Sequence, residues 1–210
     1  MKLSSVLFLV GLLIQSVDTC GQSGGKPAET NAFRIKLSVD RAKNGSPLGF
    51  RAMIDYRKRQ YTAVMPKNFR IRSSASQKRF VGYHTDNSCS MTVAFWPPAQ
   101  LKDGQKFDHD FLRWWIKKQS NDGEIATETW GMSLGKKVPS FDVNWLTKSG
   151  LRQSTRISFV SVEDAIIEVS LMSNPAQFEG HSFSQSDLLG SLRMSVKDGN
   201  LKITPLSNKY

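Results

Sequence analysis

Thr155-Arg156-Ile157-Ser158-Phe159-Val160-Ser161-Val162-Glu163-Asp164-Ala165-Ile166-Ile167-Glu168-Val169-Ser170-Leu171-Met172 decides the fold. Ile157 and Phe159 fall on one face and Arg152 and Arg156 on the other, the period of two of a strand running over 151–162. Glu163-Asp164 interrupts the run, and Ala165 to Met172 resumes it. A link this short joins antiparallel strands, because a parallel pair needs a crossover of a dozen residues or more.

Working back towards the N-terminus, Lys148-Ser149-Gly150 is a hairpin turn. Before it, Phe141, Val143 and Trp145 alternate in a further strand. Gly135-Lys136-Lys137 turns the chain again, and Ala126, Glu128, Trp130, Met132 and Leu134 point one way in the strand before that. Four consecutive strands with hairpin-length links make an antiparallel meander. Downstream, Phe183 to Leu192 reads as a closing helix with Phe183, Leu188, Leu189 and Leu192 apolar, and Leu201 and Ile203 as a short tail strand.

Asp108 to Gln119 reads as the other main helix. Its acids suit the positive N-terminal end and Lys117-Lys118 the C-terminal end. Phe107, Phe111, Trp114 and Trp115 recur at spacings of three and four and are expected on one face. Earlier strands are expected at 33–39, 61–64, near Phe69 and Ile71, at 80–83 and at 91–95, the last stopped by Pro97-Pro98. Residues 48–60 fit a short helix or a strand equally well. The expected class is α+β: one domain over 33–204, an antiparallel meander flanked by two main helices in an α/β/α sandwich.

The first residues concern compartment. Lys2 precedes the nine-residue apolar run Val6 to Ile14, a length that suits a secretion signal and is too short to cross a bilayer. Residues 1–19 are read as a signal peptide and 20–32, polar and Gly-rich, as a flexible linker or lipid tether. Cys20 is a candidate lipid anchor, although Asp18 and Thr19 before it are poor matches to a lipoprotein signal. It is otherwise a disulfide partner of Cys89, or is removed with the signal. Localisation is then the periplasm or cell envelope, membrane-tethered if Cys20 carries lipid, and secreted if it does not.

The charge is unevenly placed. The chain of 210 residues carries net +11, and residues 33–79 alone hold thirteen Lys or Arg against Asp40 and Asp55. The remainder balances. Such a local field attracts anionic partners. Arg57, Lys58, Arg59, Arg70 and Arg72 are the candidate binding cations, with Trp115 as an aromatic neighbour. In an exported protein the partner is an anionic envelope component or another protein; nucleic acid is disfavoured. Nothing indicates the oligomeric state.

Catalytic and metal motifs are not legible, and no cofactor or metal site is expected. His84, His109 and His181 lie far apart and lack ligand spacing. Asp108-His109-Asp110 reads as the acidic start of a helix. No Gly-x-Ser-x-Gly elbow occurs among the serines, and Gly24-Gly25-Lys26 lacks the flanking strand and helix of a phosphate loop.

Over 61–194 the pattern resembles the PsbP-like superfamily, whose α/β/α sandwich is of the PsbP and Mog type. Two segments carry the likeness. The first is Tyr61-Thr62-Ala63-Val64-Met65-Pro66-Lys67-Asn68-Phe69. The second is the long meander followed by a helix ending Leu188-Leu189-Gly190-Ser191-Leu192-Arg193-Met194. The resemblance implies a fold and a non-enzymatic binding or accessory role. Plant photosystem members assist a manganese–calcium cluster, and none of their ion-associated residues is matched here. The expectation is therefore an exported, non-catalytic binding or accessory module; the alternative is an exported hydrolase or metal-dependent enzyme with an unrecognised site.

Overall fold

The computed structural model describes residues 33–41, 44–45, 47–97, 108–119, 123–147, 149–163 and 165–196. The signal peptide, the linker with Cys20, Phe107 and the tail strand at Leu201 and Ile203 lie outside these residues.

The elements are β1 (Arg34–Arg41), β2 (Pro47–Tyr56), β3 (Arg59–Pro66), β4 (Phe69–Ser74), β5 (Arg79–His84), β6 (Cys89–Trp96), α1 (His109–Gln119), β7 (Glu124–Ser133), β8 (Lys136–Leu146), β9 (Arg152–Val162), β10 (Ala165–Ser173), α2 (Pro175–Ser191) and β11 (Arg193–Val196). A seven-stranded sheet runs in the order β4-β5-β6-β10-β9-β8-β7, and a four-stranded sheet in the order β1-β2-β3-β11. Every pairing is antiparallel. The class is α+β, built mostly of antiparallel sheet with two helices.

The four-stranded sheet is a correction. The flanking arrangement expected from the sequence put helices alone on the two faces of one sheet. Here β2 and β3 lie over β5 and β6, and α2 lies beside them over β9, β10 and β7. The ambiguous residues 48–60 supply this sheet: Ala52, Ile54 and Tyr56 alternate inward and are fully buried, as are Tyr61, Ala63 and Met65 of β3. The strand period is decided by what covers these residues, because a helix here would leave half of them facing water.

Strand β10 sits at the centre of the large sheet. Ala165, Ile167, Val169 and Leu171 enter the main core beside Phe95, Val93 and Met91 of β6. Ile166 points to the other face, into a smaller core with Leu112 and Ile116 of α1 and with Phe141, Val143 and Phe159. A strand covered on both sides reads as a near-continuous apolar run, as Ala165 to Met172 does.

Helix α1 uses a different face from the one expected. Leu112 and Ile116 are buried and Trp115 is half-buried, whereas Trp114 is 51% exposed. Trp114 stacks instead on Phe111 and under Lys118. Asp108 accepts a hydrogen bond from the Phe111 N–H at 3.0 Å, so it caps the helix as expected.

Helix α2 starts at Pro175, eight residues before the expected start at Phe183. Phe183 itself is 77% exposed. The start is set by Asn174, whose side-chain oxygen accepts the Gln177 N–H at 3.0 Å, with Pro175 at the first helical position. Asn174→Ala should lower the unfolding free energy by about 1 kcal/mol, read as a shift in the denaturant midpoint. A gain in stability would mean that Pro175 alone starts the helix. The turn before β8 falls at Leu134-Gly135, one residue earlier than expected; both have positive φ, 50° and 71°, matching a tight hairpin.

Candidate anion-binding end and a histidine–serine cluster

The sequence-selected cations do not form one patch. Arg57 and Lys58 make the two-residue turn between β2 and β3, and Arg59 follows at the start of β3 and pairs with Glu163 in the β9–β10 turn. Arg70 and Arg72 lie on β4, on the face of the large sheet that carries α1. Arg70 donates to the Thr85 carbonyl at 3.1 Å, at the opposite end of the strands. Arg72 lies 5.9 Å from the Tyr83 ring centroid. Trp115 packs edge-on against Trp96 and Phe159, and so acts as core-edge packing.

What the fold adds to Arg57 and Lys58 is Lys78. The Arg57 guanidinium carbon lies 5.5 Å from the Tyr56 ring centroid, and the Lys78 Nζ lies 5.6 Å from the same ring. Both residues have left-handed backbone, φ 54° and 49°, at positions where Gly or Asn is the ordinary choice. A non-Gly residue in that region costs roughly 1–2 kcal/mol. The Tyr56 hydroxyl and the Arg57 Nε are buried with no hydrogen-bond partner among the described residues. Among the described residues, this end therefore brings Arg57, Lys58 and Lys78 together with two buried polar atoms that have no hydrogen-bond partner.

Two cations elsewhere are matched to acids. Arg113 forks onto Glu128 at 2.5 and 2.7 Å and also reaches Asp110 at 2.8 Å. This pairing lines an open cleft between α1 and β7. Arg156 forks onto Asp142 at 2.7 and 2.8 Å.

The α1-bearing face of the large sheet also holds Glu168. Its carboxylate accepts the Trp96 indole N–H at 3.1 Å. Loss of water pushes its pKa up to about 7, against the opposing pull of bonds from Trp96 and Ser170 and of the Arg79 charge.

Sequence reasoning missed one constellation. At the β5–β6 turn, Ser88 Oγ lies 2.8 Å from His181 Nε2 on α2 and 3.3 Å from His84 Nδ1. Asp86 bonds His84 Nδ1 and accepts the Ser88 backbone N–H at 2.8 Å. Bonds from Ser88 and then His84 hold the Asp86 carboxyl well below the usual range. Burial, reinforced by the His84 charge, pulls His181 below the ordinary imidazole value. The nearby Cys89 is a free, buried thiol pushed up to about 12 by burial and then by the Asp86 charge, which makes it a poor nucleophile. The sequence holds one local signal for this cluster, His84-Thr85-Asp86-Asn87-Ser88; its partner His181 is 93 residues from Ser88. No group of three His, Cys, Asp or Glu side chains among the described residues could hold a metal ion.

No family model and no curated protein matches the chain. Among solved structures it is similar to the cyanobacterial PsbP (CyanoP) of Synechocystis sp. PCC 6803, with 11% identity over 83% of this chain and 98% of that one and a TM-score of 0.48. It is also similar to the Ran-binding protein Mog1p of Saccharomyces cerevisiae, with 12% identity over 77% of this chain and 96% of that one and a TM-score of 0.46. A PsbP and a Mog1p are thus both among the neighbours, in keeping with the fold-level resemblance read from the sequence. At these identities and scores the likeness extends to nothing beyond the overall fold.

Proposed function

We propose that this chain is an exported binding or accessory module that engages an anionic envelope component through its basic end. The observation that supports this is the pair Arg57 and Lys78. Two cations held in costly left-handed backbone flank one buried tyrosine, beside a buried hydroxyl and a guanidinium nitrogen that have no hydrogen-bond partner among the described residues. Backbone cost retained at a charged surface point is a mark of use. Lys58 stands exposed at the tip of the same turn.

The test uses sedimentation with vesicles of phosphatidylglycerol and phosphatidylcholine. The double variant Arg57→Glu, Lys58→Glu leaves the Arg59–Glu163 pair in place. A basic residue near an anionic surface contributes roughly 1 kcal/mol, so the variant should bind at least about 30-fold more weakly. Raising salt should weaken the unaltered protein in the same direction. Equal binding by the variant, or binding to pure phosphatidylcholine, would rule the reading out.

A further inference from the structure

We propose that Ser88 is an activated nucleophile that accepts the acyl group of a carboxylic ester, with His181 as its general base. The nucleophile and base are within hydrogen-bond reach at 2.8 Å through the correct imidazole atom, Nε2. They come from different elements, the β5–β6 turn and the second turn of α2, so their meeting is a product of the fold.

The directions of the hydrogen bonds follow from Asp86. An ionised carboxylate only accepts, so His84 must present Nδ1–H to it. His84 Nδ1 then cannot take the Ser88 proton, and the hydroxyl turns its proton to His181 Nε2. His84 Nδ1 stands 3.3 Å from Ser88 Oγ with its proton committed to Asp86, so it helps position the turn and takes no part in the proton transfer. The Ser88 N–H is tied to Asp86 at 2.8 Å and Ser173 Oγ donates to the Ser88 carbonyl at 3.1 Å, so the backbone of the nucleophile is fixed on both sides. Arg70 donates to the Thr85 carbonyl of the same turn and adds positive charge there.

The cluster opens to solvent. The Asp86 side chain is 59% exposed, and Ser88, His84 and His181 are half-buried. His181, held neutral by its partial burial and by His84, is free to take a proton near neutral pH.

The step balances with water as the only co-reactant. Ser88 Oγ bonds to the acyl carbon as its proton passes to His181 Nε2. The acyl carbon–alkoxy bond breaks, and the alkoxide leaves as alcohol with that proton. Water then attacks the Ser88 ester, giving one proton to His181. The carbon–Oγ bond breaks, Oγ regains the proton, and the carboxylic acid departs.

The full chain should be treated with a fluorophosphonate probe and the modified residue mapped by peptide mass spectrometry. The expected result is labelling at Ser88 at least 100-fold faster than at the exposed Ser149, a gap in keeping with general-base assistance. The rate should rise with pH and reach half its maximum below about 6.5, the ordinary imidazole value. His181→Asn should slow labelling by a similar factor and abolish the pH step, and Ser88→Ala should abolish labelling in that peptide. Hydrolysis of p-nitrophenyl acetate by the unaltered protein should show the same pH profile. Labelling of Ser88 no faster than of Ser149 in the unaltered protein overturns the proposal without recourse to any variant. So does an unchanged rate in a folded His181→Asn protein. Vesicle binding is read separately, so loss of one activity leaves the other standing.

Discussion

Phe95→Ala should lower the unfolding free energy by about 3–5 kcal/mol, the usual range for truncating a buried phenylalanine. Phe95 is 2% exposed on β6, and its ring centroid lies 5.1 Å from Tyr61, 5.6 Å from Tyr56 and 5.6 Å from Phe33. Those partners belong to the four-stranded sheet and its entry, so this one ring joins the two sheets. Its removal opens a cavity between layers that cannot collapse, because each layer is held in register by its own backbone ladder. Guanidinium unfolding followed by tryptophan fluorescence would measure the change. Phe183→Ala is the control; with that ring mostly in water, the expected change is within about 0.5 kcal/mol. A Phe95→Ala loss below 1 kcal/mol would mean that the two sheets are not packed through this residue.

Glu168→Gln should stabilise the protein at alkaline pH and leave it nearly unchanged in acid. Burial pushes the carboxyl up to about 7 in the folded chain, from an ordinary value of 4.5. A raised carboxyl pKa means that the folded state favours the protonated form. The associated stability is complete below about 4.5 and is lost as pH rises through about 7. That difference corresponds to an energy on the order of 3 kcal/mol. Glutamine stays neutral throughout and its oxygen can still accept the Trp96 indole N–H. The gain of the variant over the unaltered chain should therefore grow between pH 4.5 and 7 and then level off. The pairwise comparison matters, because His181 acts in the opposite sense: with its pKa lowered on folding, it costs stability as pH falls below the ordinary imidazole value. A pH-independent difference between the two proteins would show that Glu168 stays solvated.

The functional surface was partly legible. Arg57 and Lys58 stood out as charge, yet their significance depends on Lys78, which the β4–β5 turn brings to the same tyrosine ring. Arg70 and Arg72, adjacent to them in charge along the chain, are carried to another face by β4. The sequence offers Trp115 as the aromatic neighbour of the candidate cations, whereas Trp114 is the one that faces water. Both sit on the same helix, and the choice between them depends only on the rotation of α1 against β8, β9 and β10. His84 and His181 lie far apart in sequence and lack ligand spacing, and the packing of α2 sets their ring centroids 5.1 Å apart.

Local chemistry alone determined the strands of the meander, the turn before β8 to within one residue, and the capped start of α1. Side-chain alternation, Gly and Asp placement and helix-end charges act within a few residues, so a single stretch of chain carries them. Tertiary structure alone decided that β6 lies beside β10, that residues 47–66 build a second layer, and that Ser88 meets His181. Those choices join segments far apart in the chain, and they are made by which apolar faces can cover one another, a condition that no single segment contains.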